Sequence, residues 1–298
     1  MKDRYQTQHV RDLWWALRSP MLMEHSCIAN SAIGQSETDR YQGLLKKLDQ
    51  PRSALEESVR RGAGDGLGNY FECLVQTWID EVPPAAPIAA NWQVYSGGQT
   101  IGEFDLLFRR DARIWHWELA VKFYLGHPAP DGQFRWYGPN PVDRLDRKWA
   151  KMRGQQLRLC RHPASAGALD VLGIESEPIS RAFIKGYLFL PLDEKLEVEY
   201  PPDINPQGLR GWWVHHGQLA DERHLLDPGG QLQWLALPQS RWLSRTFVGP
   251  ADRLCNFDEL RSELHCGTPT LVAGLRSTAQ GPQEVTRGFI VPDGWPEL

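Results

Sequence analysis

The start of the chain has the hydrophobic pattern of helices. In "HVRDLWWAL", apolar side chains recur at helical spacing at Val10, Leu13, Trp14 and Leu17. The segments "SETDRYQGLLKKLDQ" and "PRSALEESVRR" predict two more short helices, and "LGNYFECLVQTWIDEV" predicts a longer one. The apolar residues of this last helix extend past a single stripe, so we expect it to be buried on more than one side.

The pattern then changes to that of strands. Three strand-like runs follow, which are "WQVYS" (92–96), "TIGEFDLLFR" (100–109) and "RIWHWELAVKFYL" (113–125), with turns at Gly97-Gly98 and at "RDAR". A Gly- and Pro-rich stretch predicts a loop over 126–141, and "PVDRLDRKWAKMRGQQLRLC" predicts a long helix. The nearly apolar run "RAFIKGYLFLP" predicts a strand in the centre of a sheet. This order of elements predicts an α/β fold with a mixed β-sheet flanked by helices.

After the last of these strands, the sequence changes to a stretch rich in Pro and Gly, followed by short hydrophobic runs. "YPPDINPQGLRG" resembles a linker, and short runs such as "GWWVHHG", "TPTLVAGL" and "RGFIVPDGW" predict an α+β C-terminal extension. We therefore predict three segments, which are an N-terminal helical segment (1–62), a core (63–192) and the C-terminal extension (193–298).

The charged residues inside the second and third strands lie on one face. Because side chains alternate along a strand, Glu103 and Asp105 share one face of the second strand, and Glu118 and Lys122 share one face of the third. The opposite face of this hairpin is wholly apolar. The simplest interpretation is a solvated face of an antiparallel sheet, on which charges need no further purpose.

The turn between these strands suggests a second interpretation. If the turn is centred on Asp111 and Ala112, then Asp105 lies opposite Glu118, and the Cβ atoms of such pairs are about 4.5–5.5 Å apart. Two opposed carboxylates repel each other unless a cation lies between them, and hard divalent cations prefer oxygen ligands. The hairpin therefore predicts a site for Mg²⁺, with Mn²⁺ as the alternative.

The order of these residues resembles that of a known superfamily. A helix with Glu72, a strand with Asp105, a strand with Glu118 and Lys122, and a later helix with Gln156 resemble the PD-(D/E)XK nuclease superfamily over roughly 65–191. The segments "LGNYFE", "GEFDLL", "WHWELAVKFYL" and "RGFIVPDGW" resemble more closely a bacterial family known as domain of unknown function 1853, over most of the chain. The resemblance implies a restriction-endonuclease-like core and a divalent-metal-dependent nuclease that hydrolyses phosphodiesters of DNA or RNA.

The same resemblance implies roles for the acidic residues. Asp105 and Glu118 would be metal ligands, together with the backbone carbonyl of Leu119, and Glu72 would hold the metal directly or through water. Glu103 shares the carboxylate face, where it is either a solvated side chain or an accessory ligand.

The resemblance also implies roles for Lys122 and Gln156, but the spacing of Lys122 from Glu118 differs from that of the superfamily. Lys122 would orient or activate the attacking water, or stabilise the phosphate, and Gln156 would be an accessory group near the phosphate. The superfamily usually has one residue between its acid and its lysine, whereas three separate Glu118 from Lys122, which moves the lysine about 6.6 Å along the strand. Either a β-bulge or the long side chain compensates, or the site is altered and nuclease activity is lost.

Composition narrows the remaining classes of function. The formal net charge is -4, so strong non-specific nucleic-acid binding is not predicted from charge alone, although "DRLDRKWAKMRGQQLRLCR" is a local basic cluster. Five cysteines without a C-x-x-C pair indicate neither a disulfide framework nor a structural zinc site. The N-terminus has no apolar stretch typical of a secretory signal, and no run is long enough to cross a membrane, so we expect a cytoplasmic protein.

Two other classes of function stay open. The first alternative to a nuclease is a non-catalytic nucleic-acid-binding protein on the same fold with an eroded site. The second is an interaction protein whose Trp-rich C-terminal part binds another protein.

Overall fold

The computed structural model describes residues 5–29, 31–62, 66–129, 131–192, 197–264 and 267–297. The chain has an α/β fold with a large mixed sheet flanked by helices, as the sequence predicts. It divides into two compact units. The first unit comprises Met1–Val121, Lys148–Gly186 and Asp203–Gly208, and the second unit comprises Lys122–Arg147, Tyr187–Pro202 and Leu209–Leu298. The predicted boundaries at 62/63 and 192/193 lie at residues 63–65 and 193–196, which are outside the described residues.

The first unit contains most of the helices. They are α1 (Gln8–Arg18), α2 (Ser31–Arg40), α3 (Gln42–Leu48), α4 (Ala54–Gly62), α5 (Leu67–Glu81) and α7 (Ser165–Val171), with a 3-10 helix at Gln156–Arg161. Its strands are β1 (Ala86–Ser96) and β2 (Gln99–Arg110), while β3 (Arg113–Pro128), α6 (Leu145–Gly154) and β5 (Ile179–Pro191) contribute residues to both units.

Most of the predicted helices of the first unit are present. The first predicted helix is α1, and α5 buries residues on more than one side, as its pattern indicates. The segment predicted as one helix around residues 36–50 is instead two, since α2 ends at Arg40 and α3 begins at Gln42. The long helix predicted at "PVDRLDRKWAKMRGQQLRLC" ends at Gly154, and its second half is the 3-10 helix.

The hairpin of β2 and β3 has the predicted turn and register. Leu106 pairs with Trp117 and Arg110 pairs with Arg113. The two turn residues between the strands have φ angles of 51° and 57°, the left-handed values that a two-residue hairpin turn requires. The prediction of the turn position from the sequence is therefore confirmed.

The polar face of this hairpin is covered rather than solvated. The side chains of His116 and Glu118 are fully buried. Strict alternation would place Phe104 and Leu107 on opposite faces, yet both pack in one apolar cluster with Ile114. The alternation that would place Phe104 on the face of Leu106 and Phe108 is therefore wrong. Phe104 packs on the face of His116, and its ring lies edge-to-face on the imidazole with 4.9 Å between centroids.

A buried lysine joins β5 to the end of α1. Lys185 is fully buried, and its Nζ donates a hydrogen bond to the carbonyl of Ser19, the residue that caps the C-terminus of α1. The ammonium lies 5.0 Å from the centre of the Phe183 ring. Removal from water lowers the pKa of Lys185 to about 7.

The short segment Asp203–Gly208, which follows β5 in the chain, also belongs to the first unit. The Oδ2 atom of Asp203 accepts hydrogen bonds from Trp149 Nε1 at 2.7 Å and from Arg153 Nη1 at 2.8 Å. Next to it, Asn205 Nδ2 donates to the carbonyl of Met21 at 2.8 Å. Residues 203–208 therefore anchor α6 and the segment after α1, although they follow β5 in the chain.

The described part of the second unit contains β4, the C-terminal strands and two short helices. They are β4 (Phe134–Tyr137), β6 (Leu209–His215), α8 (Arg223–Leu226), β7 (Gln233–Leu237), α9 (Phe257–Glu263), β8 (Thr270–Arg276) and β9 (Gln283–Val291), with 3-10 turns at His216–Gln218 and Gln239–Arg241. β6 pairs in parallel with β5 and β9, whereas β8 pairs antiparallel with β7 and β9. The loop predicted over 126–141 is wrong in part, because β4 lies within it and pairs with the end of β3.

One glycine of the second unit is required by a close approach to an indole ring. Gly288 on β9 pairs with Trp212 on β6, and a Cβ atom at position 288 would lie 2.1 Å from the Trp212 ring. We expect Gly288→Ala to lower the free energy of unfolding by about 1–3 kcal/mol, because the indole has to leave its packed position. Urea unfolding measures this. Gly294→Ala is the control, since no atom lies within 4 Å of the added Cβ, and an equal loss in both variants would contradict the explanation.

Among the described residues, no helix combines the length and apolar character that a membrane crossing requires.

Candidate functional site

Two carboxyl groups meet where the pairing of β2 and β3 ends. Asp105 Oδ2 accepts a hydrogen bond from the backbone N–H of Leu119 at 2.8 Å, in place of a backbone carbonyl. The carboxyl groups of Asp105 and Glu118 lie within hydrogen-bonding reach of each other. The hairpin thus brings together the two acids that the sequence predicts as neighbours.

Glu118 is held by two more side chains of the first unit. Its Oε1 lies 2.9 Å from His116 Nε2, and its Oε2 accepts a hydrogen bond from Gln156 Nε2 at 2.5 Å. The other ring nitrogen of His116 lies 3.0 Å from Ser180 Oγ, which fixes the orientation of the imidazole. Gln156, predicted as an accessory residue, therefore reaches the carboxylate cluster from the start of the 3-10 helix.

The acids of this cluster hold their protons more tightly than ordinary carboxyl groups. Burial, followed by repulsion from Glu118, raises the pKa of Asp105 to about 7. Burial, followed by repulsion from Asp105 and Glu103, raises the pKa of Glu72 to about 7. Burial is also the main cause that raises the pKa of Glu118 to about 8. The four acids therefore form one electrostatic group, to which α5 contributes Glu72 and the hairpin contributes the other three.

A lysine that the motif analysis does not single out faces this group. Lys148 on α6 donates a hydrogen bond from Nζ to Gln156 Oε1 at 3.1 Å. Its positive charge lowers the pKa of Glu72, Asp105 and Glu118 relative to burial alone. The signal was present in the sequence, since Lys148 precedes Gln156 by about two helical turns and the same predicted helix carries both.

Lys122, the lysine that the motif indicates, has a different environment. Within the second unit its Nζ donates to Asp143 Oδ2 at 2.7 Å, and the hydroxyl of Tyr124 donates to Asp143 Oδ1 at 3.0 Å. Its role in catalysis stays a prediction.

The carboxyl oxygens of Asp105 and Glu118 are the kind of ligand that a hard cation prefers, although they are few. Throughout the described part of the chain, no group of three or more His, Cys, Asp or Glu side chains is arranged to hold a metal ion. Asp105 and Glu118 nevertheless provide two adjacent carboxyl groups, and Mg²⁺ in proteins is often held by one or two carboxylates and several waters. The pair therefore fits Mg²⁺ better than a cation that needs a full cage of protein ligands.

Comparison with known proteins gives one match. The family model described as "Domain of unknown function (DUF1853)" matches residues 11–291, which is nearly the whole chain. No curated protein and no solved structure matches the chain.

Proposed function

We propose that this chain, which belongs to the family described as Domain of unknown function (DUF1853), is a divalent-metal-dependent hydrolase of phosphodiester bonds in DNA or RNA, with a core like that of the PD-(D/E)XK nucleases. The observation that carries the proposal is the contact between the carboxyl groups of the half-buried Asp105 and the fully buried Glu118. Glu72 and Glu103 add further negative charge around this pair.

The energetic cost of this arrangement supports a functional role. Burying a carboxylate beside a second one destabilises the fold, and an apolar pair at the same positions would avoid that cost. Folds retain such arrangements mainly at functional sites, where a ligand compensates the charge. A bound divalent cation would supply the compensation and would stabilise negative charge on the phosphate while lowering the pKa of a bound water.

Each residue has a defined task in this proposal. Asp105 and Glu118, with the carbonyl of Leu119, would hold the cation, and Glu72 would contact it through a water. Gln156 and the backbone N–H of Leu119 fix the orientation of the two carboxyl groups by donating hydrogen bonds to them. A carboxyl oriented in this way loses little freedom when it binds its ligand.

The surface beside the site supports a nucleic acid as the partner. Lys151 on α6 and Arg158 on the 3-10 helix are solvent-exposed, and both elements also carry residues that reach the carboxylate cluster. Because the chain as a whole is acidic, with a net charge of -4, this local cluster would supply the attraction to a phosphate backbone.

The proposal is tested by cleavage of labelled DNA and RNA with Mg²⁺, Mn²⁺ or EDTA. We expect cleavage that requires the metal and that Asp105→Asn reduces about 100-fold or more. Asp111→Asn is the matched control, because Asp111 lies in the turn of the same hairpin and is largely exposed. Cleavage that persists in Asp105→Asn, or that falls equally in both variants, would contradict the proposal.

A second candidate function rests on the partners of Glu118. Both of its oxygens already lie against side-chain nitrogen atoms, and the described residues lack a group of three metal-binding side chains. A non-catalytic nucleic-acid-binding protein on the same fold would have such a site. Salt-sensitive binding of DNA or RNA without cleavage in Mg²⁺ or Mn²⁺ would favour this candidate.

A further inference from the structure

A chain of two hydrogen bonds links a lysine to the carboxylate pair. Lys148 Nζ donates to Gln156 Oε1 at 3.1 Å, and Gln156 Nε2 donates to Glu118 Oε2 at 2.5 Å. An amide has one accepting and one donating end, so its orientation here is fixed by its two neighbours. A flipped amide would place its NH₂ group against the ammonium and its oxygen against the carboxylate.

The position of Lys148 is also set by its own helix. The adjacent Trp149 is buried, and its Nε1 donates to Asp203 at 2.7 Å. Met152, one turn later, is fully buried. These two anchors fix the rotation of α6, so the direction in which Lys148 leaves the helix is defined by packing and not only by its hydrogen bond.

The charge of Lys148 reaches the whole acidic group. Gln156 alone separates this lysine from Glu118, and its charge acts on Glu72, Asp105 and Glu118, which lie on α5, β2 and β3 respectively. A lysine ammonium is a compact charge with three rotatable donors, and such a group binds a phosphate oxygen well. The ammonium of Lys122 donates to Asp143, which the hydroxyl of Tyr124 also holds, and none of these three residues belongs to the acidic group.

We infer that Lys148, rather than Lys122, supplies the positive charge that binds the scissile phosphate, and that Gln156 is the residue that positions it between α6 and Glu118. This inference rests on the proposed function, because it assigns a phosphate to the same site. It also accounts for the unusual spacing of Glu118 and Lys122, since a lysine from a helix can serve the site without a lysine at the usual strand position.

The first test measures binding, independently of catalysis. The anisotropy of a labelled short single strand is followed in Ca²⁺, which takes the same kind of oxygen ligands as Mg²⁺, at several salt concentrations. We expect Lys148→Met to weaken binding about tenfold and to reduce the slope of log K against log salt by about one, because one phosphate contact is lost. Lys122→Met should leave both quantities unchanged, and Lys148→Arg should retain the slope because it retains the charge.

The second test measures cleavage in Mg²⁺ with the same variants. Lys148→Met should reduce cleavage at least tenfold, Gln156→Ala should lower kcat more than it raises KM, and Lys122→Met should resemble the wild type. The inference is overturned if Lys122→Met loses binding or cleavage while Lys148→Met does not, or if neither variant changes either quantity.

The two tests separate this inference from the proposed function. If the wild type does not cleave but Lys148→Met still weakens binding and lowers the salt slope, the assignment of Lys148 as the phosphate-binding residue stands and the catalytic proposal fails. If Asp105→Asn abolishes cleavage while Lys148→Met has no effect on binding or cleavage, the catalytic proposal stands and the assignment of Lys148 fails. Absence of any binding by the wild type would overturn both.

Discussion

In the absence of divalent cations, Asp105→Asn is expected to be more stable than the wild type at pH 8, by about 2–4 kcal/mol, although the same change should greatly reduce the proposed cleavage. The reason is that the wild-type carboxyl is forced to ionise beside Glu118 in a buried position. An asparagine at this position keeps an acceptor for the N–H of Leu119 and offers its NH₂ group to Glu118 in place of a negative charge.

The dependence on pH has a defined sign. The pKa of Asp105 is raised from 3.8 to about 7 in the folded protein, so the unfolded chain releases this proton first as the pH rises. The contribution of this residue to stability is therefore retained below pH 4 and is lost progressively between about pH 4 and pH 7. In Asp105→Asn this loss is absent, so the difference from the wild type should be small at pH 4 and large at pH 8.

Urea unfolding in EDTA at these two pH values measures the effect. Addition of Mg²⁺ at pH 8 should stabilise the wild type and not the variant, because only the wild type presents the ionised pair to the cation. Asp111→Asn controls for the loss of one charge on the same hairpin. A variant that is less stable than the wild type at pH 8 in EDTA would show that Asp105 is a structural residue and not a strained ligand.

Lys185→Met is expected to be more stable than the wild type at low pH and to lose this advantage as the pH rises. The pKa of Lys185 falls from 10.5 to about 7 on folding, because its ammonium is removed from water. Below pH 7 the lysine is charged in both states, and its burial costs about 4–5 kcal/mol. Methionine avoids that cost but leaves the carbonyl of Ser19 without its donor, which costs about 1–3 kcal/mol.

Lys185 changes the stability of the wild type with pH in the opposite direction to Asp105. Between about pH 7 and pH 10.5 the unfolded lysine is protonated while the folded one is neutral, so the wild type gains stability as the pH rises through this interval. The difference between Lys185→Met and the wild type should therefore shrink by about 2 kcal/mol between pH 7 and pH 9. Urea unfolding at both values tests this, with Lys46→Met on the exposed face of α3 as the control. A constant difference across this interval would contradict a neutral buried lysine.

The hairpin was predictable because its information is local. A two-residue turn fixes the register of the strands as far as the pair of Leu106 and Trp117, and Asp105 and Glu118 are the next residues along the two strands. Alternation failed at Phe104 because the regular pairing with β3 stops at Leu106. A local break of this kind depends on packing from other elements and leaves no periodic trace in the strand.

Other features depend on contacts that are distant in the sequence. β4 lies in a segment rich in Gly and Pro and is a strand only because the end of β3 offers it an edge. The importance of Lys148 depends on the rotation of α6, which Trp149 and Met152 set by burial. The sequence motif indicates Lys122 because this lysine follows an acid on the same strand. A motif confined to one strand does not identify a lysine on a later helix, even when that lysine lies near the acid in the fold.

The return of residues 203–208 to the first unit has a consequence for synthesis on the ribosome. Asp203 supplies the acceptor for Trp149 and Arg153, and Asn205 donates to Met21, so these bonds form only after β5 and the segment that follows it have been made. In the nascent chain, α6 therefore lacks its hydrogen bonds to Asp203 until the segment after β5 has been made. A fragment that stops at residue 192 would leave the buried indole of Trp149 without its hydrogen-bond acceptor. Expression fragments meant to retain the whole first unit should extend at least through residue 208.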